Sequence, residues 1–166
     1  MDVRSALKGQ YRAVLGMLRE AIEKWPMELW EKTDGEMPAW RVAYHAIYFT
    51  HLYLGKDNES FVKWAKHRDP LQRFGNGGGA KEGEVIVPYT KEEVLEYWGI
   101  CREMVDGAVD AMNLERQECG FSWYQMPKLD HQFVNLRHTQ HHVGVLIARL
   151  RRLTGQEVKW GEYSKK

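Results

Sequence analysis

Apolar residues recur at intervals of three and four in four separate stretches of this chain, a periodicity that restricts it to helical architectures. Between Val3 and Trp25 the positions Leu7, Tyr11, Val14, Leu15, Leu18 and Ile22 form one face of an amphipathic helix, which Pro26 closes. Ala39 to Leu54 is dense in apolar and aromatic residues and predicts a second helix buried on most sides, with Gly55 as its stop. Thr90 and Glu93 have the spacing of a capping box, and Val94, Leu95, Trp98, Cys101, Val105, Ala108 and Met112 carry a third helix onward from it. Pro127 precedes a fourth, roughly Leu129 to Leu153, with Phe133, Leu136, Val143, Leu146, Ile147 and Leu150 as its apolar positions and Gly155 as C-cap.

No convincing strand interrupts these helices, so the expected fold is all-α: an antiparallel four-helix bundle forming a single domain over residues 1–166. Residues 56 to 89 lack a sustained period and contain Asp69-Pro70, a Gly75-Asn76-Gly77-Gly78-Gly79 cluster and Pro88. They predict a long connection from helix two to helix three, with a short helical turn around Phe61 to Lys66. Gly75 to Glu82 is not a phosphate loop, because Ala80 stands where the second Gly is required, Glu82 replaces the Ser or Thr, and no strand precedes it. A flexible loop is the expectation there, and the tail from Glu157 is expected to be irregular.

Composition excludes whole classes of function. Hydrophobic residues make up 43% and charged residues 28%, with seven Trp and eight Tyr, which is enough apolar matter for a packed core. Twenty-four Lys and Arg balance twenty-three Asp and Glu, so no cationic excess is available for nucleic acid or an anionic membrane. The first residues carry charges every few positions instead of an apolar signal core, and no window reaches the ~18 apolar residues of a membrane span. Cys101 and Cys119 match no CxxC motif, and Cys101 lies on an apolar helical face, which suits structural burial. A cytoplasmic location fits these features best.

The chemistry concentrates in Asn135-Leu136-Arg137-His138-Thr139-Gln140-His141-His142. His138 and His142 are four residues apart, a rotation of about 400°, so both imidazoles lie on one helix face and can clasp one ion. His141, three residues from His138, competes for that role. A firm but open site for zinc, nickel or ferrous iron needs a third protein ligand from elsewhere. His45 is the candidate, since a histidine inside the densest apolar helix needs a partner. His51 is six residues further, about 240° around, so at most one of the two points into the site. The neighbouring residues leave open which. His131, two turns before His138, is expected in a channel or at the surface, and His67 is expected to be exposed. Arg149, Arg151 and Arg152 suit the negative end of the fourth helix dipole.

His45 with Leu54 a little over two turns on, followed by His138-x-x-His141-His142-x-Gly144, resembles the DinB-like (DinB/YfiT) superfamily over almost the whole chain. The resemblance implies a four-helix bundle with one divalent metal ion held by His45, His138 and His142. It also implies chemistry of low-molecular-weight thiols of the bacillithiol, mycothiol or glutathione type, with a small-molecule electrophile, or else hydrolysis, and a homodimer. Where many relatives carry Arg and Gln around the Gly after the double histidine, this chain has Val143-Gly144-Val145, a departure that bears on substrate contacts and not on the metal. The competing expectation is a non-catalytic metal-binding or stress-related bundle protein, whose site a fourth protein ligand such as His51, His141 or a carboxylate would close.

Overall fold

A computed structural model describes residues 2–33, 35–74 and 86–161. Its long elements are four helices, α1 (Val3–Lys24), α2 (Ala39–Leu54), α3 (Lys91–Ala111) and α4 (Lys128–Thr154), joined between α1 and α2 by a single 3-10 turn at Met27–Leu29, with no strand among the described residues. Each end has a local cause. The Asp2 side chain accepts from the Ser5 amide to open α1, and Thr90 and Glu93 form the expected capping box at α3. Pro38 and Pro127, in extended conformation, precede α2 and α4, and Gly155 closes α4 with φ of 72°, its amide donating to the Arg151 carbonyl.

The bundle has two helices running each way. On α1 against α3, Lys8 pairs with Asp110 at 2.6 Å while Leu15, further along, accepts from Trp98, so that pair is antiparallel. So are α2 and α4, where His45, Thr50 and Tyr53 meet His138, Asn135 and Gln132 in descending order. By contrast α1 and α4 run parallel, with Tyr11 bonded to Gln132 and Trp25 beneath Arg149. The remaining packed pair, α2 and α3, then also runs parallel. A parallel pair cannot be joined by a tight turn, so the chain after α2 must return along the length of the bundle. That requirement explains why the α2 to α3 connection is long.

The returning segment climbs beside α2. Asn58 donates to Gly120 at the foot, Phe61 packs on Tyr48 and His51, His67 stacks on Tyr44 and Tyr48, and Tyr89 reaches Trp40 at the top. The helical turn expected around Phe61 to Lys66 shrinks to one hydrogen-bonded turn at its end, where the His67 amide donates to the Trp64 carbonyl at 2.8 Å. Extended chain covers about 3.3 Å per residue against 1.5 Å in a helix, and here the segment must span distance while seating Phe61 on α2 and Trp64 on Tyr97. His67 is correspondingly not exposed: its side chain retains only 5% of its surface, and its Nε2 lies 3.0 Å from Asp69. The Gly75 to Glu82 stretch lies outside the described residues. Covered by α3 and α4 on one side and this segment on the other, α2 buries every residue but Phe49 and His51.

On α4 the expected apolar face is misplaced at its beginning. Phe133 is 55% exposed, and the inward positions are instead Lys128, His131, Gln132, Asn135, Thr139 and His142. This polar stripe is buried because it is bonded: Gln132 accepts from the Tyr11 hydroxyl and donates to the Tyr53 carbonyl, Asn135 donates to Tyr11 and to the Thr50 carbonyl, and Thr139 shares a hydrogen bond with Thr50. The network sets the register of α4 against α1 and α2, and thereby the level of the histidines above it. Arg149 also departs from expectation. Rather than serving the helix dipole it is buried, paired with Glu36 and donating to the Met37 carbonyl, so it ties α4 to the entrance of α2.

His131, expected in a channel or at the surface, is fully buried among Tyr53, Phe121 and Tyr124, with ring centroids at 4.6, 5.0 and 5.1 Å. Burial first, then the nearby Lys128 charge, lowers its pKa to about 4. An unfolded histidine titrates at about 6.5, so between these values the unfolded chain binds more protons and stability falls as pH falls. A His131→Phe variant should therefore lose less stability than the wild type between pH 6.5 and 4.5 in urea unfolding. Equal losses in the two proteins would mean that His131 contributes nothing to acid sensitivity.

Candidate metal centre

The network on α4 leaves His138 and His142 facing α2 at the level of His45. His45 Nε2 lies 3.0 Å from His138 Nε2, and His142 Nε2 lies 3.1 Å from the same atom. The three ligand atoms all lie within 4.8 Å of one another, and among the described residues no fourth His, Cys, Asp or Glu joins the group. Of the competing histidines, His51 turns away to the Tyr97 hydroxyl on α3 at 2.9 Å, and His141 is exposed with its ring edge-on to His142. Neither enters the cluster.

Tautomers show why three imidazoles in this arrangement fit a cation. His45 Nδ1 is 2.6 Å from the Gln72 carbonyl, which can only accept, so Nδ1 carries the proton and Nε2 presents a bare lone pair. A proton on His138 Nε2 could be donated to only one of its two neighbours, leaving the other ring nitrogen without a donor, and without that proton the His138 and His45 lone pairs would face each other. A divalent ion bound by all three nitrogens removes this conflict, and the N···N spacings of 3.0 and 3.1 Å are ones that two bonds of about 2.1 Å to a shared ion can span. Burial is the main cause holding the imidazoles neutral: His45 and His142 are lowered to about 3 and His138 to about 4, with the neighbouring histidines adding to the effect. All three are in the ligating form near neutral pH.

The surroundings are aromatic. Phe74 stacks on His45 with centroids 3.9 Å apart and meets His142 edge-on at 5.5 Å, while Phe49 packs against His45 and His138. Phe49 and Phe74 were not legible as site residues, since Phe49 reads as one more apolar position on α2 and Phe74 falls in the aperiodic connection. The Gln72 carbonyl, the acceptor that orients His45, is a backbone group with no sequence signal at all. Cys101 is fully buried on α3, and burial pushes its thiol up to about 12, so it offers no nucleophile.

Imidazoles from two packed helices converge inside an all-helical bundle, and this cluster is compatible with metal binding. The chain belongs to the DinB superfamily, whose family model matches residues 10–146 and thus takes in all three histidines. No curated protein and no solved structure matches it. Among the described residues no helix is long and apolar enough to cross a membrane.

Proposed function

We propose that His45, His138 and His142 bind one divalent metal ion through Nε2 and that the chain is a metal-dependent enzyme acting on a small molecule. The preferred reaction is transfer of a low-molecular-weight thiol to an electrophile, with hydrolysis as the version in which water takes the thiol's place. The observation that carries this reading is the group of three neutral histidines with no fourth protein ligand among the described residues, the pattern of sites that keep a position for an exchangeable ligand. Imidazole ligands suit zinc, nickel or ferrous iron. Such an ion supplies Lewis acidity, bringing the pKa of a bound thiol or water toward neutrality.

The chain's own residues do the rest. His45 is held in one tautomer by Gln72, so its lone pair is aimed before any ion arrives. Phe49 and Phe74 wall the cluster with apolar rings, which exclude water and strengthen the electrostatics inside. Thiol chemistry in particular rests on the family resemblance. Loading the chain with cobalt and adding glutathione tests it, because a thiol entering the open position alters the visible spectrum. A saturable change in the wild type, absent in His142→Ala, is expected. A cobalt spectrum indifferent to glutathione and to cysteine would rule out thiol ligation and leave hydrolysis or a closed binding site.

A further inference from the structure

The three successive carbonyls of Leu71, Gln72 and Arg73 all accept from side chains on one face of α2. Arg41 Nε donates to Leu71 at 3.2 Å, His45 Nδ1 to Gln72 at 2.6 Å, and Arg41 Nη2 to Arg73 at 2.9 Å. Arg41 and His45 are one helical turn apart, so their side chains rise on the same side. Residues 71–73 belong to no helix or strand; turn bonds from the Leu71 amide to the Arg68 carbonyl and from the Arg73 amide to the Pro70 carbonyl shape the backbone, but none of the three carbonyls is itself held by a helix or sheet. The planar, two-pronged guanidinium adds to these turn bonds by gripping the residues on either side of Gln72 and anchoring the segment to α2.

From this geometry we infer that Arg41 is a positioning residue of the metal centre: it holds the backbone carbonyl that orients His45, and so sets metal affinity without touching the metal. The inference rests on the three-histidine reading above. Two effects of Arg41 oppose each other, which makes the sign of the outcome informative. Its positive charge, buried on the same side of α2 as His45, disfavours a cation nearby, so removing it would tighten metal binding if charge were all that mattered. Its grip on the carbonyls acts the other way, and loss of an outer partner of a metal-ligating histidine typically weakens binding about 10- to 100-fold.

The experiment is zinc affinity by competition with a chromogenic chelator, on Arg41→Met, Arg41→Lys and His142→Ala beside the wild type, with thermal melting of each metal-free protein as a measure of folding. Arg41→Met is expected to weaken zinc binding about 10- to 100-fold, and Arg41→Lys, which keeps the charge but not the two-pronged reach, to weaken it as well. Cobalt-loaded Arg41→Lys should also show a shifted visible spectrum as His45 loses its fixed orientation. Lysine substitution serves as the test on its own where the methionine variant does not fold. Zinc affinity at or above the wild-type value in a folded Arg41 variant, with His142→Ala still losing the metal, would overturn the positioning role and leave the centre standing. Unchanged affinity in His142→Ala would instead overturn the centre itself.

Discussion

A chain carrying His138→Ala is expected to lose its metal. His138 Nε2 is the atom that both His45 and His142 approach, so its removal leaves two nitrogens on different helices with nothing between them. Metal binding of about 10 kcal/mol shared over three ligands is roughly 3 kcal/mol each, a loss in affinity on the order of a few hundredfold. Dialysis against a mild chelator followed by elemental analysis should find the wild type near one equivalent and the variant near none. Folding should be little affected, because His138 is only half-buried and its Nδ1 has no hydrogen-bond partner among the described residues. His67→Ala is the matching control, since that ring belongs to the Tyr44 and Asp69 contacts and lies outside the cluster.

The second large effect concerns the foot of the bundle and should leave the centre's chemistry alone. Gly120 has φ of +92°, and a Cβ there would run into the Lys56 carbonyl and come within 3.1 Å of the Asp57 Cβ. Both obstacles are close to the backbone and cannot swing aside. The same Lys56 carbonyl, with those of Gly55 and Cys119, accepts from the buried Lys128 ammonium, so displacing it disturbs the joint of α2, the returning segment and α4. Left-handed strain of about 1–3 kcal/mol and overpacking of a similar size together give roughly 2–6 kcal/mol for Gly120→Ala. For a chain of this length each kcal/mol shifts Tm by about 2–4 °C, so a fall of roughly 5–20 °C is expected in thermal melting. A melting curve superimposable on the wild type would show that the two backbones do not press together as described.

Where the sequence was legible, the signal was periodic and local. The i, i+4 spacing of His138 and His142 is a property of one helix, and the capping box at Thr90 and Glu93 is a property of four residues. The choice between His45 and His51 was not, because it depends on which side of α2 faces α4 and which faces α3. That is decided by the parallel and antiparallel pairing of the whole bundle. The inward face of α4 was hidden for a different reason: a buried stripe of Gln132, Asn135 and Thr139 reads as a solvent face until its partners on α1 and α2 are known. His67 and His131 are hidden likewise, each being a polar ring whose cover comes from residues outside its own element. The length of the α2 to α3 connection was evident, but its use was not. It returns along α2 and brings the Gln72 carbonyl to His45.

X-ray absorption on the zinc-loaded wild type tests the three-histidine centre most directly, since it counts and identifies the ligand atoms around the ion. Three imidazole nitrogens at about 2.0–2.1 Å with the remaining coordination filled by oxygen from solvent is the expected result. A sulfur shell, a fourth imidazole, or no ion retained at one per chain would contradict it.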